Sequence, residues 1–372
     1  MISYIIWNAN PEILNIGSFS LRWYGVLFAL GFLLSQQILY YIYKKEGKDP
    51  KDIDTLTIYM VIATIVGARL GHIIFYQPEI IWENPLGIFL PFEFSPEFRF
   101  TGLQGLASHG AAIGILFALW LYSRKKLPGQ NYMQVLDRIV IVVALTGCLI
   151  RFGNFFNSEI IGKPTNGPAG VVFISRPAQA ITSDQFGPSL VESLTIAKND
   201  SLPKGVNGRV PINLYIFFKP EVQEMGAKQF LRSGVKYYLS RLGEYVYEPT
   251  THELKYELYQ EKSGNLVAKV STFGIARHPA QLYESISCLL LFALLFWIWS
   301  IKKEKTQTGI IFGIFMIVLW SLRFFYEFLK ENQVAFEDDL ALNMGQILSI
   351  PLVIVGILII FWAKRNPSVL EK

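Results

Sequence analysis

Long apolar runs constrain this chain more than any other feature. Of its 372 residues, 52% are hydrophobic and only 17% charged, where a soluble domain carries roughly a quarter charged residues. Seven runs approach the ~20 apolar residues that a bilayer-crossing helix needs. They are Leu21 to Tyr43, Ile53 to Tyr76, Gly105 to Tyr122, Gln134 to Phe155, Ala280 to Ile301, Gly309 to Phe328 and Met344 to Lys364. The second and fourth are interrupted by polar residues. Met1 to Ser20 does not read as a cleavable leader, because it lacks a basic start and a small-residue cleavage site and carries Pro11 and Glu12.

Loop charges orient the runs. Lys44, Lys45, Lys48 and Lys51 follow the first, Arg124 to Lys126 the third, Lys302, Lys303 and Lys305 the fifth, and Lys364 and Arg365 the seventh. The other short loops are poor in Lys and Arg. The alternation predicts seven spans with the N-terminus outside and the C-terminus in the cytoplasm. The net charge of +5 is therefore no sign of nucleic-acid binding. Both cysteines, Cys148 and Cys288, sit inside apolar runs as small packing residues, and no Cys/His set has metal-ligand spacing.

The predicted fold is thus an all-α polytopic membrane protein with an inserted small α+β head on the outer side. Spans one to four occupy 1–162 with an N-terminal segment on the outer side, the head 163–276, and spans five to seven 277–372. In the head, Val171 to Ile174 and Ile212 to Phe218 read as strands, and 220–242 as helical. Leu254 to Gln260 and Leu266 to Ser271 flank a hairpin signal at Ser263-Gly264-Asn265. The segment 77–104, rich in Pro and Phe and carrying Trp82, suits an arm lying on the outer membrane surface. No internal repeat is evident, which weighs against an inverted-repeat transporter.

This topology collects polar residues at one depth. Tyr24, Ser108 and His109, Arg151 and Asn154, His278, Gln281, Tyr283 and Glu284, and Arg323 and Glu327 all fall toward the outer ends of their spans. Polar groups at membrane depth are costly and usually mark a site. Each has a plainer reading. Arg323 and Glu327, four apart, also suit mutual neutralisation. His109 also suits a satisfied core position, Tyr24 and Tyr283 interface anchors, and Arg69 in Gly67-Ala-Arg69-Leu-Gly71-His72 a helix bridge. The run from Arg151 through Asn154, Asn157 and Glu159 to Gly162 is hardest to explain structurally.

Two arginines near the outer leaflet suit a phosphate, whose oxygens a guanidinium holds bidentately, and they stabilise charge on a departing phosphate. Asparagines and tyrosines suit glycerol hydroxyls, and a histidine titrating near neutrality suits proton removal from a nucleophile. No nucleophile elbow or hydrolase pattern is present, so the nucleophile belongs to a second substrate.

Six pieces carry a resemblance. They are Leu21-Arg-Trp-Tyr24-Gly25, Ser108-His109-Gly110, Arg151-Phe-Gly-Asn154-Phe-Phe-Asn157-Ser-Glu159-Ile-Ile-Gly162, Arg277-His-Pro-Ala-Gln281-Leu-Tyr283-Glu284, Arg323-Phe-Phe-Tyr-Glu327-Phe and Met344-Gly-Gln-Ile-Leu-Ser-Ile-Pro351. With them the chain resembles the prolipoprotein diacylglyceryl transferase family. The resemblance implies seven transmembrane helices with a periplasmic head, in the bacterial inner membrane. It implies transfer of diacylglyceryl from phosphatidylglycerol to the lipobox cysteine of a prolipoprotein, with glycerol phosphate released and no cofactor. It implies that Arg151 holds the phosphate, that Arg323 assists near the leaving group, and that His109 is the candidate base. Tyr24, Asn154, Glu159, Gly162, Tyr283 and Glu327 fall on family positions tied to activity or substrate binding, and Asn157 lies within the same signature. Two departures stand out: His109-Gly110-Ala111 where the family commonly has His-Gly-Gly, and a segment between Gly162 and Arg277 longer than the usual family head. Another phosphatidylglycerol-using transferase and an anion transporter are the alternatives.

Overall fold

The computed structural model describes all residues except 1–3, 17–18, 84, 89–91, 94–98, 101–104, 106, 184–188, 202, 204, 263, 332–339 and 367–372. Part of the arm at 77–104 and Ser263 of the hairpin signal therefore lie outside the described residues. The chain divides into two compact units. Unit 1 is Met1–Ala29, Cys148–Ser287 and Leu322–Ser349, and unit 2 is Leu30–Gly147, Cys288–Ser321 and Ile350–Lys372.

The helices are α1 (Trp23–Lys45), α2 (Lys51–Tyr76), α3 (Ile80–Glu83), α4 (Ser108–Ser123), α5 (Tyr132–Phe156), α6 (Ser175–Thr182), α7 (Glu224–Phe230), α8 (Lys236–Arg241), α9 (Ala280–Lys302), α10 (Ile310–Glu327) and α11 (Met344–Arg365). Among the described residues, α1, α2, α5, α9, α10 and α11 are long and apolar enough to cross a membrane, so this is a polytopic membrane protein. The third predicted span is shorter than expected. Gly105, with φ of +72°, precedes the helix, and α4 runs for 16 residues. At 1.5 Å per residue that is ~24 Å, short of a ~30 Å hydrocarbon core. Leu33, Ile62, Leu290 and Leu358 are exposed on these helices. In water such a surface would be a liability, but in lipid it is the ordinary outer face.

Unit 2 is held by two kinds of contact. An apolar cluster includes Ile42, Tyr43, Leu119, Ile141, Leu295, Trp299 and Ile311. Beside it, α2 and α4 cross at glycines. A Cβ placed on Gly110 would meet the Gly67 carbonyl and come within 2.6 Å of Gly71 Cα, and one on Gly114 would come within 2.7 Å of the Ala63 carbonyl. Gly67-x3-Gly71 thus packs on Gly110-x3-Gly114, the small-residue pairing that lets membrane helices approach backbone to backbone. Gly110→Ala should lower stability by ~1–3 kcal/mol. The check is a lower melting temperature in detergent, and an unchanged one would mean that the helices part at no cost.

Unit 1 is built on a sheet. Its strands are β1 (Ile5–Trp7), β2 (Glu12–Ile16), β3 (Phe19–Arg22), β6 (Val171–Phe173), β7 (Val191–Lys198), β8 (Arg209–Phe218), β9 (Val246–Tyr247), β10 (Tyr256–Gln260) and β11 (Leu266–Arg277), while β4 (Phe92–Glu93) and β5 (Arg99–Phe100) pair with each other in unit 2. The main sheet runs β1-β6-β11-β8-β7, with β9 and β10 also pairing with β11. Alternating apolar residues along β8 and β11 build its core, where Val172, Ile212, Leu214, Ile216, Phe218, Val270 and Ala276 are buried with Leu231 and Leu239. The predicted helical stretch at 220–242 is α7, a π-helical turn over Leu231–Val235, and α8. The N-terminal segment, which carried no strand signal, supplies β1, parallel to β6 with Ile5 opposite Val171. Tyr4 is buried beside it and donates its hydroxyl to the Pro211 carbonyl at 2.7 Å.

Candidate functional site

The end of α5 carries the signature residues, and its geometry follows from how that helix stops. Ser158 and Ile160 both have positive φ, 53° and 56°. For a β-branched residue such as Ile160 this is a costly conformation that the surroundings must enforce. Ser158 Oγ is within 2.7 Å of Ser175 Oγ, in a buried pair. Glu159, between the two, donates its N–H to the Asn154 carbonyl at 3.1 Å. Its carboxylate accepts Asn154 Nδ2 at 3.3 Å and Asn157 Nδ2 at 3.4 Å, and lies 3.9 Å from Arg176. Gln281 donates to the Glu159 carbonyl. The chain reversal thus gathers Asn154, Asn157 and Glu159 into one polar nest.

Tyr24 stands beside this nest, because Gly153 lets α5 pass close. A Cβ there would come within 3.1 Å of Tyr24 Cα. The Tyr24 hydroxyl lies in the field of both Glu159 and Arg151.

Arg151 Nε is 2.5 Å from Glu284 Oε2, with the arginine side chain 23% exposed and the glutamate 10%. This orients the guanidinium through one edge and leaves donors on the other. On α10, Arg323 Nε lies 3.9 Å from Glu327 Oε1. Glu327 is buried and accepts Asn343 Nδ2 at 3.4 Å. Gly345 gives Glu327 its room, since a Cβ there would sit 2.7 Å from Cδ of the carboxyl group.

Gly162 is required by packing. Its N–H donates to the His278 carbonyl at 3.0 Å, and a Cβ would come within 2.6 Å of that oxygen and 2.9 Å of the Leu329 carbonyl. Arg277 ties the same place. It is buried, and its Nη1 donates to the Gly162 carbonyl at 3.0 Å and to Glu331 Oε1 at 2.6 Å. Three distant stretches, 162–163, 277–278 and 329–331, therefore close on one another. Tyr283 lies 3.3 Å from His278 Nδ1 through its hydroxyl. Burial pushes the His278 pKa below its ordinary value of 6.5, which favours the neutral imidazole.

Unit 1 thus brings together Tyr24, Arg151, Asn154, Asn157, Glu159, Gly162, Tyr283, Arg323 and Glu327. His109 belongs to unit 2, exposed in the first turn of α4. Arg69, also in unit 2, is buried and donates to the carbonyls of Ile88 at 2.8 Å and Gly105 at 3.5 Å. These two bonds tie α2 to backbone of the segment between α2 and α4, a structural part. Sequence reasoning missed Lys330 and Arg176. Both are lone cations with no spacing signal, although Lys330 stands three residues after a glutamate already singled out. Among the described residues, no group of His, Cys, Asp and Glu could hold a metal ion.

Chemically, unit 1 offers the Arg151 guanidinium held by Glu284, the Arg323 guanidinium 3.9 Å from Glu327, a nest of amide and carboxylate groups, and tyrosine hydroxyls. That set fits a phosphate joined to a polyol.

A family model described as prolipoprotein diacylglyceryl transferase matches residues 11–362. Curated proteins named phosphatidylglycerol–prolipoprotein diacylglyceryl transferase are similar over nearly their full length. One from Bacteroides fragilis is 32% identical, covering 98% of this chain and 97% of the relative. One from Tolumonas auensis is 32% identical, covering 98% and 99%. One from Chloroherpeton thalassium is 32% identical, covering 100% and 98%. Because these matches run end to end in both partners, the long segment between Gly162 and Arg277 is no addition peculiar to this chain.

Proposed function

The chain belongs to the prolipoprotein diacylglyceryl transferase family, and from that premise we propose that it transfers the diacylglyceryl group of phosphatidylglycerol to the lipobox cysteine of prolipoproteins. The observation that carries the reading is the pairing of Arg151 and Arg323 with oriented carboxylates in the unit that also holds Tyr24, Asn154 and Glu159. In the step, the thiol gives up its proton and its sulfur forms a bond to the terminal glycerol carbon of the diacylglyceryl group. The bond from that carbon to the phosphate oxygen breaks, and glycerol phosphate leaves with the electron pair. The atoms balance without a cofactor.

Each residue has a proposed part. Arg151 holds the phosphate, and Arg323 takes up charge as it departs. Tyr24, Asn154, Asn157, Glu159 and Tyr283 address glycerol hydroxyls and ester oxygens, and Glu327 orients Arg323. Gly162 permits the close packing that fixes their common base. A free thiol has a pKa near ~8.5, so deprotonation needs only modest help. His109 is the proposed base.

The proposed topology has seven spans, with α4 the seventh crossing, the N-terminus outside and the C-terminus in the cytoplasm of a bacterial inner membrane. Lysines and arginines after alternate spans support it. The site then faces the periplasm, with 163–276 as an α+β head there, between the span groups at 1–162 and 277–372.

The test uses purified protein in detergent, phosphatidylglycerol, and a lipobox peptide in Cys and Ser forms. Mass spectrometry should find a diacylglyceryl group on the Cys peptide alone. No gain on either peptide, from folded protein, would overturn the reading and move weight to another acceptor or to anion transport.

A further inference from the structure

A line of alternating charges joins the two candidate phosphate arginines, and its middle member is a residue with no assigned part. Arg151 pairs with Glu284 at 2.5 Å. Glu284 pairs through its other oxygen with Lys330 Nζ. Lys330 Nζ is 3.2 Å from Glu327 Oε1, which is 3.9 Å from Arg323 Nε. Lys330 is 5% exposed at its side chain and each carboxylate 10%. A lysine after a membrane span is expected to reach into water. This one is turned inward, and its backbone keeps it there. Lys163 donates its N–H to the Leu329 carbonyl at 2.7 Å, Lys330 donates to the Glu327 carbonyl at 3.3 Å, and Gly162 bridges Lys330.

The charge count explains what the lysine supplies. Arg151 and Arg323 opposed only by Glu284 and Glu327 would be neutral as a group. Lys330 makes three cations against two carboxylates and leaves one positive charge for a phosphate. An ammonium has three donors and no acceptor, so it can hold both carboxylates at once. Each carboxylate then keeps one arginine oriented without cancelling it.

We propose that Lys330 is a positioning residue for the transfer reaction. It joins Glu284 to Glu327 so that Arg151 and Arg323 face one phosphate at a fixed separation and with a net positive charge. The inference rests on the transferase reading above.

The test measures kcat and the KM for phosphatidylglycerol on full-length protein in mixed micelles with the Cys peptide. Lys330→Met should raise that KM at least tenfold and lower kcat. Lys330→Arg should stay within about threefold of wild type. A merely structural lysine predicts a lower melting temperature with KM unchanged in the folded fraction. An unchanged KM in folded Lys330→Met would overturn the proposal. Should Lys330→Met not fold, Lys330→Gln takes its place, and an unchanged KM there would overturn the proposal. If wild-type protein modifies neither peptide, the transferase reading itself fails, which is a separate result.

Discussion

Arg151→Gln should reduce diacylglyceryl transfer by a factor on the order of 10²–10³ while the protein stays folded, the scale set by removing one preorganised donor to a developing anion. Glutamine keeps an N–H donor but loses the charge and the fork that grips two phosphate oxygens. Folding should survive because Glu284 keeps Lys330 as a partner, so no carboxylate is left buried and alone. Rate measurements on the Cys peptide, with melting temperature measured in parallel, check both halves. Retention of most of the activity would remove Arg151 from its part, and loss of the fold would show that Lys330 does not compensate.

Glu46→Gln should cost ~3–5 kcal/mol of stability, the range for breaking a buried ion pair from one side. Glu46 accepts Lys48 Nζ at 2.7 Å, Arg138 Nε at 2.8 Å and Trp299 Nε1 at 2.7 Å. Its side chain is fully buried and that of Arg138 is 3% exposed. Burial alone would raise the Glu46 pKa. The charges of Arg138 and Lys48, with hydrogen bonds from Lys48 and Trp299, outweigh it and hold the carboxyl group below its ordinary 4.5. Burial pushes the Lys48 pKa down instead, so the favourable shift belongs to the carboxylate, and we assign most of it to Arg138. The sign for pH follows. A depressed carboxyl pKa contributes stability that is fully present above 4.5 and is lost as pH falls through the lower folded value. Melting temperatures of wild type and Glu46→Gln should therefore differ most at neutral pH and converge in acid below 4.5. A gap that stays constant with pH would contradict this assignment.

The same residues show where sequence reading stops. Apolar runs of about twenty residues predicted seven spans, and among the described residues six helices are long and apolar enough to cross, because lipid leaves few other solutions for a backbone. The α5 signature was legible because an arginine, two asparagines and a glutamate beside an apolar run have no cheap structural explanation. Their gathering with Tyr24 and Arg323 in one unit follows from the helices that carry them. Lys48 and Lys330 were not legible. Lys48 was counted as a loop charge, yet it pairs with buried Glu46. Lys330 has only a carboxylate three residues back to mark it, and its other partner, Glu284, is remote in sequence. Strand β1 was missed for a related reason. Three residues have little propensity of their own, and what makes them a strand is a partner far along the chain. The start of α4 was misplaced because apolar composition alone does not register the left-handed turn at Gly105.

That remote pairing sets a timetable for biogenesis. Ile5 pairs with Val171 and Trp7 with Phe173, so β1 leaves the ribosome with no partner. At ~5–20 residues per second of synthesis, the partner strand follows roughly 10–30 s later, after the helices from α1 to α5 have been made. The N-terminal segment must wait with one edge of its backbone open until β6 is made. Glu284 waits for Lys330 in the same way, on a shorter clock. A release of the nascent chain before residue 330 would leave a buried carboxylate short of one of its two cations.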